Sequence, residues 1–302
     1  MIIVRISGGL GNQMFEYAFG RALASKNKTE LLFDLSGLVA KEGEAQRYFS
    51  LDIFNTKYKV ATKKDFKTLG IGDPADQTPS ARAKRYTRRT YESFFPLEKR
   101  KDIIEPEYSF VPEIAALGNN HYFAGIWQSE KYFKNVAQKL REEFTLKKEL
   151  IDTSIDAAKM LKDKNIVCVN VRRTDYVTDE NIKSKIGFAG KKYYENAVSY
   201  MLSKIPKAKF LVFSDDIEWC KENLKFIPNV FFISHKSAEK AFAKDFYLMS
   251  LCSHYIVANS TFSWWGAWLN QNKNKIVIAP EKWFASGADE SDLIPENWIR
   301  IQ

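Results

Sequence analysis

The chain opens on a near-continuous apolar run, Ile2 to Ile6, of the length and character of a buried strand. Gly8-Gly9-Leu10-Gly11 follows as a tight loop. From Asn12 onward, apolar residues at Met14, Phe15, Ala18, Phe19, Ala22 and Leu23 keep helical spacing, and Leu31-Leu32-Phe33-Asp34 makes a second strand. A strand, glycine loop, helix and strand in that order aims free backbone N–H groups and the positive end of a helix at an anion. Between Tyr48 and Gly118 the periodicity weakens and no topology is assigned; Asp73-Pro74 and Thr78-Pro79 mark loops there. His121 to Ile126 then reads as a strand, and Ser129 as the cap of a helix through Tyr132, Phe133, Val136, Leu140 and Phe144.

Beyond about Lys147 to Thr153 the alternation becomes regular. Strands are expected at Ile166–Val171, Phe210–Phe213, Val230–Ile233, Tyr255–Ala258 and Ile276–Ala279. Helices are expected at Lys192–Ser203, Ile217–Leu224, about Glu239 to Leu251 and about Phe262 to Asn270. Such alternation predicts an α/β fold whose second half is a doubly wound parallel sheet. With 302 residues, two domains are expected, at 1–150 and 151–302.

Composition changes this picture little. Hydrophobic residues at 45% and aromatics at 14% exclude a disordered chain. Cys168, Cys220 and Cys252 are odd in number and lack metal-ligand spacing, which suits a reducing compartment. The apolar start is too short for a signal peptide, and nowhere do eighteen apolar residues run consecutively, so a cytoplasmic chain that does not span a membrane is expected. The net charge of +9 is uneven: Arg82, Lys84, Arg85, Arg88, Arg89, Lys99, Arg100 and Lys101 face only Glu92 and Glu98. Tyr86, Tyr91, Phe94 and Phe95 are interleaved with them, as would suit an anionic membrane surface or nucleic acid. The basic residues form no continuous helical stripe, so a solvated helix face is the plainer reading.

Candidate chemistry gathers at three strand ends of the second half, where parallel α/β sheets bind ligands. Arg172-Arg173-Thr174-Asp175 follows Asn170-Val171 and offers planar guanidinium forks matched to phosphate or carboxylate oxygens. Ser214-Asp215-Asp216 reads as a helix cap, a metal site, or recognition of a nucleotide's base or ribose; a carboxylate can accept two hydrogen bonds, as guanine's N1 and N2 edge offers. Without an Asp-x-Asp or a His cluster, no metal is expected. Asn259-Ser260-Thr261-Phe262-Ser263 is a hydroxyl-rich helix start, able to cap the helix or to hold phosphate. Trp264, Trp265 and Trp268 share the spacing of a helix interior and are expected in the core rather than as a sugar platform. His121, His235 and His254 are isolated and read as structural.

Gly8-Gly9-Leu10-Gly11-Asn12-Gln13-Met14-Phe15, Arg172-Arg173-x-Asp175-Tyr176, Phe213-Ser214-Asp215-Asp216 and Asn259-Ser260-Thr261-Phe262-Ser263-Trp264-Trp265-Gly266-Ala267-Trp268 together resemble the bacterial α-1,2-fucosyltransferases of glycosyltransferase family 11. The blocks run collinearly from residue 8 to residue 268. The resemblance implies a GT-B-like scaffold of two Rossmann-like domains facing a cleft, the first mainly shaping the acceptor side and the second binding the GDP-sugar. It implies metal-independent, inverting transfer of L-fucose from GDP-L-fucose to the 2-hydroxyl of a terminal β-galactoside, in surface polysaccharide or oligosaccharide synthesis. The acceptor is then a galactose-terminated glycan, free or lipid-linked, and nucleic acid is not a partner.

By the same resemblance Arg172 contacts the diphosphate, Asp216 or its neighbour Asp215 the guanine, with Ser214 beside them, and Ser260, Thr261, Phe262 and Ser263 the phosphates. Gly11 and Asn12 reach the diphosphate or fucose from the first domain. The family usually has His where Asn170 stands, and usually Gly where Thr174 stands. Asp175, nearest the arginines, is the expected general base, with orientation of Arg172 or Arg173 as its competing role; Asp179 and Glu180, expected on the following loop, are the other carboxylates in reach. Arg173 is expected to pair with a carboxylate. Two readings of other classes stand beside this one. One is a nicotinamide oxidoreductase on the Gly8–Gly11 loop, in which Asp34 reads the ribose, although Met14 stands where the dinucleotide fingerprint needs glycine. The other is a non-enzymatic anionic-surface binder using Arg82–Lys101.

Overall fold

The opening apolar run becomes β1 (Ile2–Arg5), buried from Ile2 to Val4, at the centre of a parallel sheet. The computed structural model describes residues 1–38, 47–106, 108–151, 163–233 and 241–302. The chain divides into two units, Met1–Thr145 with Ser291–Leu293, and Leu146–Glu290 with Ile294–Gln302. Asp152, Thr153, His235 and the expected helix start at Glu239 and Lys240 lie outside the described residues.

In the first unit β2 (Leu31–Asp34), β3 (Lys59–Val60), β4 (Asp102–Ile104) and β5 (His121–Ala124) join β1 in the order β3-β2-β1-β5-β4, every pair parallel. The chain winds outward from β1 through β2 to β3, then crosses to β4 and returns to β5. The winding therefore reverses between β1 and β5. The helix Leu10–Lys26 covers β1 and buries residues all round, which is why its apolar pattern is broad rather than a single stripe. It also seals in a carboxylate from the helix Ala137–Glu143: Arg21 grips Glu143 at 2.6 Å and Tyr17 donates its hydroxyl to the same carboxylate at 2.8 Å. Gly8 turns the chain at φ +66°, where a side chain would be strained and its Cβ would lie 2.7 Å from Asn12 Nδ2.

Three expectations are corrected here. The residues after Ser129 do not form one helix: Ser129 caps Glu130–Tyr132, a second short turn spans Lys134–Val136, and the α-helix begins only at Ala137. Tyr132 and Phe133 are both buried, and the backbone leaves helical geometry at Phe133, with φ −134° and ψ 7°. Thr78-Pro79 is not a loop but a helix start, with Thr78 Oγ1 accepting from Ala81 N and Pro79 in the first turn of Pro79–Glu92. Asp34 is unavailable to a ribose: it is buried, and takes hydrogen bonds from Ser36 N and Oγ and from the Tyr122 hydroxyl. The nicotinamide reading loses its anchor.

The second unit is the doubly wound parallel sheet that the alternation predicts. Its strands β6 (Ile166–Val171), β7 (Lys209–Ser214), β8 (Val230–Ile233), β9 (His254–Ile256), β10 (Val277–Pro280) and β11 (Ile299–Ile301) take the order β11-β10-β9-β6-β7-β8. Here the winding reverses between β6 and β9. Strand β11 carries no sequence signal of its own. The α/β class therefore holds in both units. Trp264, Trp265 and Trp268 pack inward from the helix Thr261–Leu269, as expected of core residues. The described histidines are structural: His121 Nδ1 meets Arg100 O at 2.7 Å and His254 Nδ1 accepts from Ile276 N at 3.0 Å. Among the described residues no helix is long and apolar enough to cross a membrane.

The Tyr17–Arg21–Glu143 cluster yields a stability prediction. Glu143→Ala strands a mostly buried guanidinium and is expected to cost about 3 kcal/mol of folding free energy. Denaturant unfolding checks this; a loss below about 1 kcal/mol would show that the pair is not sealed from water.

Candidate active site

Strand β6 delivers Arg172 and Arg173 at its carboxyl end, beside the point where the second sheet reverses its winding. The strand stops at Val171 because Asp215, just past the end of β7, captures the next two peptide groups. Its Oδ1 accepts from Arg173 N at 2.9 Å and its Oδ2 from Thr174 N at 3.1 Å, with the Thr174 hydroxyl bonded to the same Oδ2. The helix Thr174–Thr178 starts from that anchor.

The guanidinium groups are then held separately. Arg172 pairs with Asp175 Oδ2 at 2.7 Å and Asp215 Oδ2 at 3.2 Å, and lies 5.6 Å from the Tyr176 ring centre. Burial works against its charge, but Asp215 and Asp175 more than offset this, and its pKa is raised. Arg173 turns to Asp216 Oδ2 at 2.5 Å and stacks 5.0 Å over Trp219, the carboxylate partner expected for it. Asp216 also caps the helix Ile217–Asn223 by accepting from Trp219 N, and its own N–H donates to Ser214 Oγ at 2.9 Å.

Tyr176 links this loop to the third cluster. Its hydroxyl donates to Asn259 O at 3.1 Å and interacts with the Ser260 side chain; burial pushes its pKa up to about 12, so it stays a neutral donor. Asn259 is a brace, its Nδ2 donating to the carbonyls of Ile186, Gly187 and Trp283. Ser260 precedes the helix Thr261–Leu269 without a side-chain capping bond. Ser263 is fully buried and donates to Ala258 O and Ser260 O, so its hydroxyl faces its own backbone. Phe262 packs against Phe246 with ring centres 5.2 Å apart.

Asn170 is buried at the end of β6. Its carbonyl accepts from the Tyr194 hydroxyl, its Nδ2 reaches Phe213 O only at 3.5 Å, and its Oδ1 has no hydrogen-bond partner. Asp175 Oδ1 is likewise buried without one. Asp179 and Glu180 are not on a loop: Asp179 caps the helix Glu180–Lys185 through Asn181 N and Ile182 N, and Glu180 is exposed beside Lys183. Gly11 and Asn12 belong to the first unit, at the start of the helix Leu10–Lys26, where Asn12 Oδ1 accepts from Gln128 Nε2 at 3.3 Å. Among the described residues no group of three or more His, Cys, Asp or Glu could hold a metal ion. Thr174, Tyr176 and Trp219 do structural work here that the sequence did not disclose, since each acts through a partner distant in the chain.

The arrangement holds two guanidiniums among three carboxylates at a sheet's switch point, beside the start of the helix Thr261–Leu269. An alpha-1,2-colitosyltransferase of Escherichia coli is 33% identical over 311 residues, spanning 100% of this chain and 99% of that protein. A galactoside alpha-(1,2)-fucosyltransferase 2 of Gorilla gorilla gorilla is 27% identical over 278 residues, spanning 89% of this chain and 69% of the relative. The solved structure of an Arabidopsis thaliana FUT1 mutant in complex with GDP shares the fold, with a TM-score of 0.50 at 12% identity over 97% of this chain and 74% of that one. The sequence profile described as Glycosyl transferase family 11 matches residues 1–302, and the chain belongs to that family.

Proposed function

We propose that the protein transfers L-fucose from GDP-L-fucose, with inversion, to the 2-hydroxyl of a terminal β-galactoside in surface polysaccharide or oligosaccharide synthesis. The second unit binds the GDP-sugar and the first serves the acceptor. The observation that carries this reading is the loop Arg172–Asp175, anchored by Asp215 and set beside Ser260 through Tyr176. As the acceptor oxygen attacks the sugar carbon, the bond to the β-phosphate breaks and negative charge grows on the departing GDP. Arg172 is placed to stabilise that charge, and Ser260 and Thr261 to hold the phosphates. Asp216 reads the guanine edge: its two oxygens each carry one bond to Arg173 or Trp219, whereas Asp215 Oδ2 is crowded by Thr174 and Arg172. Transfer needs no divalent cation in this scheme.

Asp175 is proposed to take the acceptor proton while steering Arg172. Asp179 is committed to its cap, and Glu180 to solvent and Lys183. A peripheral contact with anionic membrane, where lipid-linked acceptors reside, belongs to the same proposal. The helix Pro79–Glu92 buries none of its residues, and Tyr86, Tyr91 and Phe94 are 75%, 65% and 82% exposed. Arg88 and Arg89 are tied to Asp102, but Arg82, Lys84 and Lys99 remain exposed.

Arg172→Ala is expected to lower kcat by about a hundred- to a thousandfold while the circular dichroism spectrum is retained, the loss of one preorganised donor to a developing anion. The assay uses GDP-L-fucose and β-galactosides with linkage analysis of the product, GDP-L-colitose as the competing donor, and EDTA throughout. Near-normal turnover by the variant, or a dependence on added metal, contradicts the scheme.

Comparing pH–rate profiles tests the base. Asp175→Asn is expected to depress the rate and remove the acid limb of the profile, and Glu180→Gln to match wild type. A wild-type profile from Asp175→Asn would assign the carboxylate to orientation alone.

Sedimentation with vesicles tests the surface. Binding to vesicles containing phosphatidylglycerol, lost on replacing Tyr86, Tyr91 and Phe94 together by Ser, is expected; equal binding to neutral vesicles, or none, refutes the contact.

A further inference from the structure

Each sheet has one point where its winding reverses, and the first unit's reversal, between β1 and β5, also opens into a cavity. It is about 470 Å³, within the range of roughly 300–1,000 Å³ typical of small-molecule sites. Arg5, Ile104 and Ala124, the last residues of β1, β4 and β5, line it with Ser7, Glu105, Pro106, Tyr108, Gly125, Ile126 and, from the basic helix, Arg89.

The wall around Glu105 is specially built. Its carboxylate accepts from Ile126 N at 2.6 Å and Trp127 N at 2.9 Å. Only glycine fits at 125, because a Cβ there would come within 2.3 Å of Glu105 Cβ and 2.7 Å of its Oε2. Trp127 is held at φ +60°, a costly conformation for a tryptophan, by that carboxylate and by a stack on Phe19 at 4.1 Å. Opposite in charge, Arg5 also lines the cavity, and its Nε is buried without a hydrogen-bond partner.

We infer that this cavity is the acceptor subsite, taking an uncharged saccharide of one or two rings whose hydroxyls donate to Glu105 and accept from Arg5, with the Tyr108 ring against its apolar face. The inference rests on the reading of the protein as a sugar transferase. With Arg89 already paired to Asp102 at 2.7 Å, Glu105 and Arg5 are the carboxylate and guanidinium left to face one space, which suits hydroxyl groups, since they both donate and accept. The flat ring and the Ile104 and Pro106 surfaces suit sugar C–H faces.

The carboxylate is poised near neutrality. Burial, the larger effect, pushes Glu105 up to about 7 against the pull of its two amide donors. The groups facing it are Arg5 on β1, Arg89 on the basic helix, Tyr108 on its own loop, Glu16 on the helix Leu10–Lys26 and Tyr132. Burial raises Glu16 above the usual carboxylate range against the pull of its two Ser7 donors and Arg5, and pushes Tyr132 up to about 12. Glu105 accepts best when ionised, above about pH 7, and loses that capacity as the pH falls below it.

The test uses the whole protein, with lactose as the acceptor probe and GDP as the donor-side control. Saturation-transfer NMR should show lactose contact with wild type, weakened about tenfold or more by Glu105→Gln and by Tyr108→Ala, the second leaving the Gly125–Trp127 wall intact. GDP affinity by calorimetry should be unchanged in both. In turnover assays the acceptor KM of wild type should rise by up to about tenfold for each pH unit below 7, and that of Glu105→Gln should not follow. No lactose contact with wild type, or contact unchanged in both variants, overturns the subsite. Failure of wild type to bind GDP would instead remove the donor assignment, while the lactose result still decides the cavity.

Discussion

Asp215 is the constraint on which the second unit's site depends. One carboxylate past the end of β7 accepts the peptide N–H groups of Arg173 and Thr174, past the end of β6, and stands 3.2 Å from Arg172. Two neighbouring parallel strands are thereby tied at their open ends, where no ladder bonds remain to do it. The anchor fixes backbone rather than side chain. Both arginines therefore emerge in defined directions, one to Asp175 and the other to Asp216 and Trp219. Two like charges on adjacent residues would otherwise repel and splay, and carboxylates on three sides keep them close at tolerable cost.

This arrangement separates binding from support. Asp215 has little capacity left for a ligand, Ser263 spends its hydroxyl on its own helix, and Asn259 spends its amide nitrogen on three carbonyls. Residues quoted from one motif thus divide into those that face the site and those that hold it open. Asp215, Asn259 and Ser263 fall in the second group on geometry. A motif read as a string weights them equally; burial and hydrogen-bond saturation do not.

Much of this was legible beforehand. Period-2 and period-3.6 signals placed β1, β2, β6, β7 and β8 and most helices of the second half, since buried parallel strands are short apolar runs between polar turns. The polar cluster at the end of β6 followed from the same logic. What escaped was set by tertiary contact: the edge strand Ile299–Ile301 is defined by its pairing with β10. The cap role of Asp179 was missed because a carboxylate before a short helix looks, in sequence, like one on a loop. Glu105 gave no sequence signal, following a short edge strand in the stretch of weakest periodicity.

The two switch points differ in how their charges are arranged, and that difference follows from their second neighbours. In the second unit the acids lie beside and behind the arginines, so what they leave available is guanidinium, suited to an anion that brings its own charge. In the first unit Glu105 is held on the cavity wall by two backbone N–H groups and a turn that tolerates no side chain at Gly125, with Arg5 and Arg89 lining the same space and Glu16 raised by burial nearby. A second ionised acid there would raise the Glu105 pKa further and disable it as an acceptor near pH 7. Burial of Glu16 disfavours its charged form, which works toward a cavity with one carboxylate charge rather than two, while its two Ser7 donors work against it.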